Sequence, residues 1–276
     1  MTAVNLKKIL NDANKKNYAV AGLVVLSWDD ALAFTQASDE TGIPIILQAG
    51  PSCRAHTPIP ILGKMFRYLA EQTKTDVCCH IDHGYTLKDC YEGINSGFTS
   101  VMFDGSKLPL NQNIKLTSKI VKKAHKYKIS VEGEIGFVGY PDGRTSEGTN
   151  LDESIEFAKK SKIDAMAISV GNMHLQTTKK AKIDYEKILM IQKKTKIPLV
   201  LHGGSGIPSN QRKKLAKNTN VAKFNIGTEI RMMFGSSLRK NLKNNPKIFD
   251  RLKILDPTIK DLVKVTKKVI KEIGPK

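Results

Sequence analysis

VCCHIDHG, residues 77–84, is an apolar run that closes on two histidines, an aspartate and a glycine. Such a run reads as a buried strand whose last side chains emerge at the edge of a sheet. Two further runs end in the same way: AMAISVGNMH, residues 165–174, stops at His174, and IPLVLHGGSG, residues 197–206, delivers His202 to a glycine-rich turn. Parallel strands closed into a barrel place all their carboxyl ends on one rim, so His83, His174 and His202 are predicted to converge there. Three neutral imidazoles suit a catalytic zinc that keeps one position open. The expectation is a metal-dependent enzyme.

Outward from these three runs, apolar and β-branched stretches bounded by turn residues predict eight strands: 20–26, 44–48, 76–81, 98–103, 129–134, 164–170, 198–202 and 222–226. Stretches of helical period lie between them, at 29–41, 61–72, 87–96, 111–127, 152–161, 184–194 and 209–218, with 229–244 as the eighth. Strand alternating with helix, eight times, predicts a (β/α)8 TIM barrel. The chain is read as one domain, 1–276, with extra helices at 6–15 and 257–272. Ser209, Asp152 and Asp184 are expected as helix N-caps. An open doubly wound sheet would need a GxGxxG or GxxxxGK[ST] fingerprint after the first strand, and none is there. The glycine-rich segment GFVGYPDGRTSEGTN, residues 136–150, follows the fifth strand and reads as a mobile lid.

Composition narrows the classes. The formal charge is +19, but 38 of the 45 basic residues are lysines spread along predicted helices without aromatic platforms, which favours a solvated surface over a nucleic-acid site. No apolar run is long enough to span a bilayer and the first residues do not read as a cleavable signal, so a soluble, cytoplasmic protein with no membrane partner is expected. The four cysteines have no CxxC spacing. Cys78 and Cys79 are adjacent on one strand, face opposite ways, and read as core residues.

In HIDH, Asp82 lies beside His83, where a carboxylate could move the proton of a substrate hydroxyl. Capping of the following helix is the alternative for Asp82, and His80 is an alternative functional histidine. HGGSG, residues 202–206, brings Gly203, Gly204 and Ser205 to a turn where backbone amides can approach an anion, and FNIGTE offers Asn225 as an amide donor with Gly227 and Thr228 as a second such loop. Glu132 and Glu134 share a strand face, so a cation, the metal or a lysine, is expected beside them. Asp104 at the end of the fourth strand is a candidate to orient a ligand histidine. His56 and His125 receive no role.

HIDHG, GFTSVMFDGSKLP, SVEGEIG, VGNMH, PLVLHGGSGIP and KFNIGTEIR occur in this order between residues 80 and 231. Together they resemble the class II, metal-dependent fructose- and tagatose-bisphosphate aldolase family. The resemblance implies an aldehyde-lyase of carbohydrate metabolism that cleaves or forms a phosphorylated ketose through a zinc-stabilised enediolate, yielding an aldehyde and a dihydroxyacetone-phosphate-like ketone. It implies zinc on His83, His174 and His202 with Glu134 as an alternative ligand, and a monovalent cation nearby. It also implies proton transfer by Asp82, enediolate stabilisation by Asn225, and a phosphate on Gly203, Gly204, Ser205, Gly227 and Thr228. A second acid, Asp142 or Glu147, would come from the loop after strand five. Homodimers or homotetramers are expected, with Arg251 or Lys253 reaching a neighbour's site.

The family pattern is broken around the substrate rather than the metal. Leu175 stands where the residue after the histidine is usually glycine, GLVVLS ends the first strand, Lys107 replaces a histidine in the DGS motif, and the second loop reads QAGPSCR. A ketose other than fructose 1,6-bisphosphate is therefore expected. A sugar isomerase or epimerase on the same metal, or a silent sugar-phosphate-binding barrel, are the alternative readings.

Overall fold

The computed structural model describes residues 2–275. Eight parallel strands form the barrel: β2 (Val20–Val25), β3 (Ile45–Ala49), β4 (Val77–Gly84), β5 (Ser100–Phe103), β6 (Ser130–Ile135), β7 (Ala165–Ile168), β8 (Leu199–Leu201) and β9 (Val221–Ile226). Each pairs with its sequence neighbours, and β2 pairs with β9 to close the ring. A two-residue strand, β1 (Ala3–Val4), pairs with Val77 and Cys78 of β4, below His80, where β5 begins its own pairing at Ser100. The bare lower edge of β4 is thereby covered.

Alternation along the strands separates two cores. Val20, Ile46, Cys78, Met102, Ala165, Ala167, Val200 and Ala222 point inward and meet Leu6, Ile9, Leu10 and Ala13 of helix α1 (Leu6–Lys15), which plugs the bottom of the barrel. The outward residues, such as Leu47, Cys79, Val131, Ile168 and Leu201, pack beneath the surrounding helices. Cys78 and Cys79 thus fall in different cores, both buried and unpaired, and burial pushes the Cys78 thiol up to about 12.

The surrounding helices are α2 (Trp28–Thr41), α3 (Pro51–His56), α4 (Ile59–Gln72), α5 (Leu87–Asn95), α6 (Leu110–Lys126), α7 (Leu151–Ser161), α8 (Tyr185–Thr195), α9 (Ser209–Asn218), α10 (Thr228–Asn244) and α11 (Arg251–Ile273). Asp184 caps α8 as expected, its carboxylate accepting from the Lys187 amide at 2.9 Å. The other two caps are corrected. Asn150, not Asp152, caps α7, and Ser209 is the first residue of α9 after Pro208, its hydroxyl donating instead to Glu272 at 2.8 Å. Helix α11 begins six residues before Pro257, where the sequence reading starts it. A proline there frees the carbonyl four residues earlier, and Asn241 of α10 donates to Lys253 O at 3.3 Å and to Ile254 O at 2.9 Å.

Candidate active site

In a regular strand Asp82 and His83 would face opposite sides, yet both reach the rim. The register of β4 against β5 shifts between Ile81 and Gly84, so an extra residue is accommodated, and His83 takes a φ of +49°. The turned backbone is braced by Arg54 of α3, whose guanidinium donates to Ala49 O at 2.6 Å, Asp82 O at 2.5 Å and His83 O at 2.8 Å. Asp82 is not a helix cap: Thr86 and Asp89 form the reciprocal capping pair of α5.

His83, His174 and His202 come together, with ring centroids 4.6 to 5.5 Å apart. One potential ligand atom from each lies within 4.8 Å of the other two. The outer edge of each ring is differently held. His83 Nδ1 is 2.7 Å from Asp104 Oδ2, and Asp104 is in turn fixed by the Ser106 hydroxyl at 2.6 Å. His202 Nε2 is 3.1 Å from Glu132 Oε1. Tyr140 stacks on the His174 ring at 4.6 Å. What remains is unpartnered: His174 Nε2, His202 Nδ1 and Glu134 Oε2 are all buried without a hydrogen bond. Glu134 Oε2 lies 3.6 Å from His202 Nδ1.

The two glutamates of β6 divide their roles. Glu132 is met by a lysine, Lys223 of β9, at 2.6 Å, whereas Glu134 faces the histidines. Burial pushes His174 and His202 well below the usual imidazole range and Glu134 well above the usual carboxylate range. For His83 burial pulls down, but Asp82, Asp104 and Glu134 outweigh it and raise the imidazole to about 10. Asp82, though buried, is held below the usual carboxylate range because His83, His202 and Lys223 together overcome the burial.

A cavity of about 310 Å³ opens above this cluster. Asp82, His83, His174, Gly203, Ser205, Asn225, Gly227 and Thr228 all line it. Asn225 Nδ2 donates to Asp82 Oδ1 at 3.1 Å, leaving Asn225 Oδ1 buried and free. Gly203 has φ +64°, and a β-carbon there would lie 1.9 Å from Met173 O, so the turn beside His202 admits no side chain. Gly204 forms the loop without reaching the cavity; its carbonyl is held by buried Arg212, which also pairs with Glu229 and Glu272. Leu175 lines the cavity at φ +54°, with 47% of its surface exposed.

Residues 136–150 fold back over His174, whose amide donates to Gly139 O at 2.9 Å. Arg144 sits on the Tyr140 ring at 3.7 Å and lines the cavity. Asp142 and Glu147 are exposed and do not line it, and Asp142 is engaged by Arg144 at 2.6 Å. Arg251 and Lys253 are exposed at the start of α11, away from the cavity lining. His56 ends α3 and His125 binds Asp164 at 2.8 Å, both off the site. Sequence reasoning missed Arg54, Lys223, Tyr140, Arg144 and Arg231. Only Lys223 carried a local signal, a charge inside an apolar strand.

Residues 4–276 match the model of the family described as fructose-bisphosphate aldolase class-II. The chain belongs to this family. The 6-phospho-5-dehydro-2-deoxy-D-gluconate aldolase of Halalkalibacterium halodurans is 33% identical, covering 99% of this chain and 96% of that one. The fructose-bisphosphate aldolase of Geobacillus stearothermophilus is also 33% identical, over 96% of this chain and 94% of its own. Among solved structures, the YdjI aldolase of Escherichia coli K12 superposes with a TM-score of 0.87 at 25% identity, over 99% of this chain and 97% of that chain. The fructose-bisphosphate aldolase of Campylobacter jejuni shares the fold with a TM-score of 0.80 at 19% identity, over 97% and 93% of the two chains. This class II aldolase is thus an enzyme of a generally zinc-dependent family. Among its described residues no helix is long and apolar enough to cross a membrane.

Proposed function

We propose that this aldolase holds one zinc ion on His83, His174 and His202, with Glu134 in reserve, and cleaves or forms a phosphate-bearing ketose other than fructose 1,6-bisphosphate. The observation that carries the reading is the set of buried, unpartnered ring and carboxylate atoms, His174 Nε2, His202 Nδ1 and Glu134 Oε2, gathered at the floor of the cavity that Asp82, His83 and His174 line. Such atoms are costly without a ligand, and neutral imidazole nitrogens with a carboxylate are a zinc donor set. Zinc, when bound, supplies a Lewis acid that stabilises negative charge on the carbonyl oxygen of the ketone half.

The rest of the chemistry falls to this chain's own side chains. Asp82, held ionised, takes the proton from the substrate hydroxyl next to the breaking carbon–carbon bond, so that carbon leaves as an aldehyde. Asn225 orients Asp82 and offers its free amide oxygen to a neighbouring hydroxyl. The ketone half receives a proton on carbon from the loop acid, Asp142 or Glu147, brought in by movement of residues 136–150. Gly203, Ser205, Gly227 and Thr228, which line the cavity, are assigned to the phosphate, with Gly204 shaping the turn and the N-terminus of α10 behind the last two. Leu175 supports a ketose with one phosphate, because it places an apolar side chain where the glycine-rich loops would receive the group.

The test is metal analysis joined to retro-aldol assays on fructose and tagatose bisphosphates, their monophosphates, and 6-phospho-5-dehydro-2-deoxygluconate, before and after chelation. About one zinc per chain with chelator-sensitive cleavage of a monophosphate is the expected result. Efficient cleavage of fructose 1,6-bisphosphate would overturn the substrate assignment, and metal-free protein that takes up no zinc would overturn the centre.

A further inference from the structure

Below the three histidines the barrel is filled by a layer that the chemistry above leaves unused. Lys223, Glu132 and His80 are each fully buried. Lys223 Nζ donates to Glu132 Oε2 at 2.6 Å and lies 3.4 Å from His80 Nε2. An ammonium group has no lone pair, so both contacts run outward from the lysine, and the His80 proton is left on Nδ1, facing Ser100 Oγ at 2.9 Å. Gly22 makes room for this layer: a β-carbon there would lie 1.6 Å from Gln48 Oε1 and 2.9 Å from Lys223 Cε.

The direction of the chain continues into the rim. With one oxygen taken by Lys223, Glu132 turns the other to His202 Nε2 at 3.1 Å. An ionised carboxylate only accepts, so this contact requires the His202 proton on Nε2 and leaves Nδ1 as a bare lone pair. Nδ1 is the atom that is buried, unpartnered and turned toward Glu134.

We propose that Lys223 is a positioning residue for the metal centre: by holding Glu132, it fixes His202 as the Nε2–H tautomer and presents Nδ1 as the ligand atom. This rests on the zinc reading above and deepens it. Asp104 does the complementary service for His83, holding Nδ1 and freeing the opposite nitrogen. The two histidines would therefore bind the same ion through different ring atoms, and a lysine on β9, the strand beside that of His202, decides which atom His202 uses.

The experiment uses the full chain. Histidine-selective nitrogen-15 spectra of the metal-free protein report the His202 tautomer directly, assigned by its loss in His202→Gln. A predominant Nδ1–H form in the unaltered protein overturns the proposal whatever any variant does. Lys223→Met alone leaves a buried carboxylate without a cation and can fail to fold, so the deciding variant is Lys223→Met/Glu132→Gln, which removes both charges. In that folded protein His202 is expected to populate both tautomers, and its zinc affinity, measured by competition with a chelator, to fall by about 10- to 100-fold. An unchanged tautomer with affinity within about twofold means that Lys223 only neutralises Glu132, and overturns the proposal. Failure of the unaltered protein to bind zinc removes the metal reading instead, while the tautomer spectra still decide what Lys223 does.

Discussion

Two layers of the same barrel, a few ångströms apart, are completed differently. In the lower one a lysine, a glutamate, a histidine and a serine satisfy one another, and the Gln48 amide beside them is left unpaired. In the upper one Glu134, His174 and His202 keep atoms with no partner, although Glu134 and His202 are as enclosed as the lower layer and His174 is half-buried. The difference teaches where the ligand belongs: a fold tolerates unpaired buried polar atoms where something else completes them.

The most disruptive change should be His174→Ala, because it removes a ligand without touching the lower layer. Losing the electrophile forfeits several kcal/mol of charge stabilisation, so turnover should fall by about 10³-fold or more, together with zinc content and with little loss of thermal stability in the chelated protein. Activity that survives loss of zinc would show that the unpaired rim atoms serve something other than a metal. Asp82→Asn comes next. The amide keeps the shape but cannot take a proton, so kcat should drop by about 10²- to 10⁴-fold while bound zinc is unchanged. A parallel drop in zinc would move Asp82 from proton transfer to ligation.

Asp104→Asn sharpens the comparison from the outside of the rim. It weakens the hold on His83 Nδ1, and zinc affinity should fall by about 10- to 100-fold with a smaller change in kcat of the saturated enzyme. The pH dependence of binding carries the same contrast. In the metal-free protein His83 is raised to about 10 and is protonated at neutral pH, while His174 and His202 are lowered and are not. Zinc must displace the His83 proton, so affinity should rise with pH until the imidazole titrates near 10, with about one proton released per ion at pH 7 in calorimetry across buffers. The sign for stability is opposite: the raised imidazole stabilises the metal-free fold below the ordinary range and loses that contribution as pH climbs toward 10. In Glu134→Gln, which removes the raised carboxyl as a second source of protons, release of two or three protons at neutral pH would contradict the neutral state of the other two rings.

The barrel was legible because strand and helix periods alternate eight times, and the histidines were legible because His83 and His202 close such strands and His174 follows one by six residues. What stayed hidden is set by distance in the chain. That Glu132 would meet Lys223 rather than the metal depends on two strands 91 residues apart. Arg54 was hidden because QAGPSCR reads as a loop, yet Pro51 starts a six-residue helix that carries the guanidinium to the end of β4. The strand pattern predicts that Asp82 and His83 face apart, and only the register shift against β5 turns both to the rim. The loop acids are a different case: Asp142 is bound to Arg144 and, like Glu147, lies outside the cavity lining.

Leu175 joins the comparison as a residue whose backbone is costly and whose side chain is exposed. A non-glycine residue at φ +54° gives up about 1–2 kcal/mol relative to a relaxed backbone. Glycine would remove that strain but add about 0.4–1 kcal/mol of unfolded-state entropy. Leu175→Gly should therefore shift stability by less than about 1.5 kcal/mol, seen as a small change in Tm. Its main effect should be on the substrate. With the cavity wall cut back beside Gly203, KM for a bisphosphate ketose should fall by at least about tenfold, the scale of one recovered phosphate contact, with kcat for the preferred ketose within a few-fold of the parent. A variant that gains stability and leaves the ratio of bisphosphate to monophosphate turnover unchanged would mean that the side chain does not shape the pocket, and that the substrate preference must be sought at Arg144 and Arg231 on its other walls.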